Sequence, residues 1–232
     1  MSKAPSVSFP RVIVFDLDGT IWRPEMYEMW GGGGSPFKWC GAQGKPGSAL
    51  GRDKTEVYLL GESLSLLSRL YFHPQANRNA TDDGFDGFVV AAASTCDEPS
   101  WARALLQQFE LSPKYFQAGS SSPVKPTFGT KDESTMQTNT QHPVKMAELF
   151  EGLDDIYNHC RKPTHMANIL KKAQAQLGDP SMDYSDFIFF DNQMDNIRDC
   201  TKIGVCSVYC PEGMTEGIWE KGLEQWRASQ KR

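Results

Sequence analysis

The chain has 232 residues, 39% of them hydrophobic, which is enough to bury the core of one sizeable α/β domain without disulfide staples and too much for a disordered tail. Its 24 Lys and Arg against 29 Asp and Glu give a formal net charge of −5, so no basic excess draws it to a nucleic-acid backbone. No run approaches the ~20 apolar residues of a membrane span, and Met1–Pro10 lacks the apolar stretch of a signal peptide; a soluble, cytoplasmic protein with no membrane partner is expected.

Val12–Phe15 is a continuous β-branched and aromatic run that Asp16–Thr20 breaks with carboxylates and a glycine. It predicts a buried parallel strand ending in a polar loop. Residues 23–54 carry Gly31 to Gly34 with Trp30, Phe37 and Trp39 around them, and read as a flap loop. Its aromatics either close over a ligand or anchor the loop to the core. Glu62–Leu70 places Leu64, Leu67 and Leu70 on one helical stripe, and a second strand, Gly87–Ala93, ends at Ser94 and Thr95.

Pro99–Phe109 offers the next helix through Trp101, Leu105, Leu106 and Phe109. Residues 112–142 are rich in Ser, Thr, Gln, Asn and Pro with little to bury, and read as a polar, solvated insertion. Pro163–Leu177 is helical by its stripe Met166, Ile169, Leu170, Ala173 and Leu177, Phe187–Phe190 is a strand ending at Asp191 and Asn192, Asp195–Ile203 is a shorter helix closed by Gly204, and Val205–Tyr209 is a last strand. The termini, Met1–Ser8 and Ala228–Arg232, are expected to be loose. Strands alternating with helices imply a parallel sheet with helices on both faces, whose ligands sit beyond the carboxyl ends of the strands.

Asp16 and Asp18, one residue apart at such a strand end, point into one cleft, where a cation or a shared proton must relieve their repulsion. Magnesium suits the task, since it takes hard oxygen ligands and keeps waters that a phosphate oxygen can displace. A calcium loop would need further oxygen ligands where Ile21 and Trp22 stand. Of the six cysteines, none forms a CxxC pair; Cys200, Cys206 and Cys210 lack zinc-ribbon spacing and read as buried thiols, and Cys96 borders the expected pocket. His73, His142, His159 and His165 make no cluster; His165, one turn past Lys162, either approaches the site or is a surface histidine.

Phe15-Asp16-Leu17-Asp18-Gly19-Thr20 resembles the first motif of the haloacid dehalogenase (HAD) superfamily, whose phosphatases use the first Asp as nucleophile and the second as general acid and base. Ser94 after its hydrophobic strand, a Lys at a later helix start, and Phe189-Phe190-Asp191-Asn192 match the remaining motifs. Ala91-Ala92-Ala93-Ser94, Lys162-Pro163-Thr164-His165 and the ending from Gly204 to Glu224 narrow the likeness to the magnesium-dependent phosphatases, a minimally capped branch described as acting on phosphotyrosine and sugar phosphates. The resemblance implies an α/β, HAD-like (Rossmann-like) fold, one domain over 9–227, with a minimal cap.

By that resemblance Asp16 attacks phosphorus, and Asp18, with a raised pKa, protonates the leaving oxygen. Lys162, preferred to Lys125 and Lys145 because Pro163-Thr164 marks a helix start, adds positive charge. Leu17 contributes loop N–H groups, Ser94 and Thr95 bind the phosphoryl oxygens, and Trp22 contacts substrate or packs beneath the flap. Asp16, Asp18 through its carbonyl, and Asp191 hold Mg2+. The branch has two adjacent acids where this chain has Asp191 and Asn192, so either Asn192 or Asp195, four positions after Asp191, completes the metal site. Asn196 stands where the branch caps the next helix. The expected activity is hydrolysis of a phosphorylated small molecule or phosphoprotein through an aspartyl phosphate; a non-catalytic relative that binds a phosphorylated ligand or protein partner is the alternative.

Overall fold

The computed structural model describes residues 9–73, 87–117 and 142–231. In chain order these form β1 (Val12–Phe15), β2 (Trp22–Arg23), β3 (Lys38–Trp39), β4 (Ser48–Leu50), β5 (Glu56–Leu59), α1 (Ser63–Tyr71), β6 (Val89–Thr95), α2 (Pro99–Leu106), β7 (Glu110–Leu111), α3 (Lys114–Gln117), β8 (Val144–Lys145), α4 (Met146–Leu149), β9 (Asp154–Tyr157), α5 (Lys162–Leu177), β10 (Phe187–Asp191), α6 (Met194–Lys202), β11 (Cys206–Tyr209) and α7 (Glu216–Ser229).

A five-stranded sheet in the order β11-β10-β1-β6-β9 is parallel throughout. Both of its faces are covered because alternate residues leave a strand on opposite sides. Val12 and Val14 join the cluster containing Met166, Ile169 and Cys200 of α5 and α6, whereas Ile13 and Phe15 join the one containing Leu67, Leu105 and Trp226 of α1, α2 and α7. Such continuous apolar strands are the mark of a sheet buried on both sides. From β1 the chain builds outward through β6 to β9, then crosses to β10 and β11, so the order reverses between β1 and β10. That switch point opens a crevice beyond the strand ends.

The stretch expected to be a flap loop is a folded sheet in the order β2-β5-β4-β3, antiparallel throughout. Met26, Met29, Phe37, Ala49 and Val57 bury in the same cluster as Ile13 and Phe15. Two of its glycines serve close approach: a Cβ on Gly34 would meet the Trp101 ring at 2.3 Å, and one on Gly51 the Gly33 carbonyl at 1.7 Å. The anchoring role falls to Phe37 and Trp39, while Trp30 is exposed and donates its indole N–H to Glu98 at 3.2 Å. The main-chain bond Leu60 N to Ile21 O (2.8 Å) extends the β2–β5 pairing, and Glu62 N to Met214 O (2.9 Å) and Met214 N to Thr20 O (3.2 Å) stitch this sheet to the segment after β11.

Of the polar insertion, residues 118–141 lie outside the described residues, as do residues 1–8; Lys114–Gln117 is the short helix α3. The C-terminal residues expected to be loose from Ala228 continue α7 to Ser229, because Trp219, Leu223 and Trp226 bury one face of it. All six cysteines are free. Among the described residues no helix is long and apolar enough to cross a membrane.

Candidate active site

Register places the chemistry. Phe15 pairs with Phe190 on one side and with Ala92 on the other, so the next residues, Asp16, Asp191 and Ala93, lie level at the carboxyl ends of three adjacent strands. Lys162, the first residue of α5, brings its ammonium into this row although it is 2% exposed. Nζ donates to Asp16 Oδ1 and to the Ala93 carbonyl, the latter at 2.6 Å, and lies 3.4 Å from Asp191 Oδ2. Burial alone would lower its pKa, but Asp16 and Asp191 outweigh that and hold it above the ordinary lysine range. A buried cation is thereby fixed between two carboxylates, Asp16 and Asp191, that the sequence marked.

The chain then turns sharply. Thr20, Ile21 and Trp22 all donate their N–H groups to the Leu17 carbonyl, and Gly19 takes φ +74°, where a side chain is strained. This turn sends the Asp18 carboxyl toward the small sheet: Oδ1 accepts from the Trp22 indole N–H at 2.6 Å and Oδ2 from Met26 N at 3.3 Å. Burial first, and the charge of Asp16 second, push the Asp18 pKa up to about 7. Trp22 is fully buried, which favours the reading that packs it beneath the surface over contact with a substrate, and its indole holds Asp18. Among the described residues the N–H groups of Leu17 and Asp18 meet no acceptor, which leaves them for a ligand.

Asp191 is held as a fixed acceptor. Oδ1 takes Gln193 N at 2.7 Å, and Asn196 Nδ2 reaches Oδ1 at 3.2 Å and Oδ2 at 2.9 Å. Burial and the Asp16 charge raise its pKa to about 7 despite Lys162. Asn196 is thus a partner of the acid and not the cap of α6, whose N-cap is Gln193. Asn192 spends its side chain on the turn: its Oδ1 lies 3.5 Å from Thr20 Oγ1, and a Cβ on Gly19 would sit 2.2 Å from its Nδ2. Asp195 does not reach the site. Its side chain is 92% exposed and pairs with Arg198 at 3.1 Å, because its place in the first turn of α6 faces solvent.

The residues offering oxygen to a cation are therefore Asp16, Asp191 and the Asp18 carbonyl. Two carboxylates and a carbonyl are hard oxygen donors, a set that fits a hard ion keeping its own waters; among the described residues no group of three or more His, Cys, Asp or Glu side chains converges for a metal.

Ser94 is fully buried and its Oγ has no hydrogen-bond partner among the described residues, a free donor one residue beyond the Ala93 carbonyl that holds Lys162. Thr95 lines the cleft, as expected of it, but its hydroxyl hydrogen goes to the Cys160 carbonyl at 2.5 Å and not toward the cleft's phosphoryl position. The cleft, about 310 Å3, is also lined by Glu25, Tyr27, Asp97, Cys160, Arg161 and Asp199, which the sequence did not mark. Half-buried Glu25 has a raised pKa from burial and from Glu28.

A family model described as acid phosphatase matches residues 8–229. A search of curated proteins finds no match.

Proposed function

Given that the chain belongs to the acid phosphatase family, with the α/β architecture of HAD-like phosphatases and hence phosphorylated substrates, we propose that it is a magnesium-dependent phosphomonoester hydrolase working through an aspartyl phosphate on Asp16. The observation that carries the reading is the Lys162 ammonium bonded to Asp16, with Asp18 two residues on buried so that its pKa is pushed up to about 7 and a share of it keeps its proton at neutral pH.

An Asp16 oxygen attacks phosphorus as the ester P–O bond breaks, and the leaving oxygen takes the proton of Asp18. The Asp18 carboxylate then removes a proton from water, whose oxygen attacks phosphorus and frees Asp16. Lys162, the Ser94 hydroxyl and the Leu17 and Asp18 N–H groups supply fixed positive charge and donors around the transferred group. Mg2+ held by Asp16, the Asp18 carbonyl and Asp191 would neutralise phosphoryl charge when bound. An exposed phosphorylated side chain or a small phosphate ester both suit a cleft of this size.

The test is p-nitrophenyl phosphate with Mg2+, using Asp16→Asn as control. Hydrolysis by the parent chain alone is expected; no hydrolysis, or equal rates, would overturn the reading.

A further inference from the structure

A run of polar contacts passes from behind the site to its wall and takes no part in the steps above. Asp155 of β9 is 1% exposed and His165 of α5 is fully buried. His165 Nδ1 lies 2.8 Å from Asp155 Oδ2, which also accepts from Asn168 Nδ2 at 3.2 Å, while Lys172 Nζ reaches Oδ1 at 3.3 Å. On its far side His165 Nε2 lies 3.3 Å from Thr95 Oγ1, and that hydroxyl bonds the Cys160 carbonyl at 2.5 Å. Tyr157 stacks on the imidazole at 6.3 Å between centroids. Cys160 stands two residues before Lys162.

Counting hydrogens fixes the roles. A carboxylate only accepts, so Nδ1 donates. The threonine hydroxyl has one hydrogen and a carbonyl only accepts, so that hydrogen lies toward Cys160 and Nε2 must donate as well. A neutral imidazole has one N–H; all contacts are met only when both ring nitrogens carry hydrogen.

We propose that His165, carrying both ring protons and anchored by Asp155, is a positioning residue for the phosphoryl site: it holds the Thr95 hydroxyl on the Cys160 carbonyl and so ties the end of β6, with Ser94, to the turn that delivers Lys162. The inference rests on the phosphatase reading and adds to it how the lysine is placed. Met166, Ile169 and Ala173 keep α5 packed without the tie, but its first turn is then free to shift the ammonium relative to Asp16. A displacement of about 1 Å at such a group costs on the order of 100-fold in rate.

The full chain, 15N-labelled at histidine, gives the first readout: two closely similar ring nitrogen shifts for His165 are expected near pH 7, and the widely split pair of a neutral ring overturns the proposal. With p-nitrophenyl phosphate, His165→Gln and Thr95→Val should each lower kcat about 10- to 100-fold with KM little changed, and Thr95→Ser should restore most of the loss. In a Lys162→Met background the same two substitutions should cost nothing further. Unchanged kcat in Thr95→Val, or equal losses in both backgrounds, overturns the proposal. Should His165→Gln fail to fold, Thr95→Val at its exposed position carries the kinetic test. A parent chain without hydrolysis overturns the phosphatase reading instead, and the ring shifts still decide this one.

Discussion

The Trp22 indole N–H donates to Asp18 Oδ1 across 2.6 Å, so the first strand of the small sheet holds the acid that the mechanism needs. The bond favours the charged form of Asp18 and is outweighed by burial. Trp22→Phe removes the donor and keeps a ring in the core. It is expected to destabilise the fold by about 1–3 kcal/mol and to lower kcat about 10- to 100-fold through loss of aim. The high-pH limb of the rate profile should move upward, because the lost bond lowered the pKa. Urea unfolding and pH–rate profiles measure both.

Asp18 also makes stability depend on pH. Its carboxyl titrates at about 7 in the folded chain against an ordinary 3.8. The folded state therefore keeps a proton that the unfolded state has lost, and this contribution to stability declines as pH rises from about 4 to about 7 and is gone above it. In metal-free protein Asp18→Asn should raise the urea midpoint over the parent at pH 8 and lose that advantage at pH 4. Catalysis by the parent should fall above pH ~7 as the acid loses its proton.

Asn196 binds both oxygens of Asp191. Its removal in Asn196→Ala frees the carboxylate to rotate, and the Mg2+ concentration for half-maximal hydrolysis should rise about 10- to 100-fold, as for other partners of metal-binding groups. A chelator should abolish hydrolysis in the parent, with recovery on adding Mg2+.

Gly19→Ala meets two penalties, a φ of +74° and a methyl 2.2 Å from Asn192 Nδ2. A loss of about 1–3 kcal/mol is expected from the backbone alone, and displacement of Asn192 should disturb the Asp16–Asp18 turn. Unfolding curves with and without Mg2+ show the first; a kcat loss in folded protein shows the second.

The strands that carry Asp16, Ser94 and Asp191 were legible because each is a continuous apolar run halted by polar residues. β9 was not, since Asp154 and Asp155 outnumber its signal, yet Asp155 is ionised there with a pKa lowered, against burial, by His165, Asn168 and Lys172. His165 was readable in principle: with Lys162, Met166, Ile169, Ala173 and Leu177 it lies on the buried stripe of α5. The small sheet escaped because its strands have two to four residues, too short for alternation to register. Asp195 misled because spacing in sequence does not say which side of a helix faces the cleft. Trp22 stayed open between two readings for a related reason, since an aromatic beside a loop reads equally as contact or as support.

The small sheet is bonded through Glu62 to Met214, which is bonded in turn to Thr20, and it shares the apolar interior of the core, so swinging it away would break those bonds and bare that interior. On the proposed phosphatase reading, turnover would then need no gating cycle, with Tyr27 and Asp97 lining the cleft as the folded chain sets them. On that reading admission becomes a matter of reach: a phosphate on a small molecule would enter freely, whereas one on a folded protein would have to be carried on a side chain that protrudes.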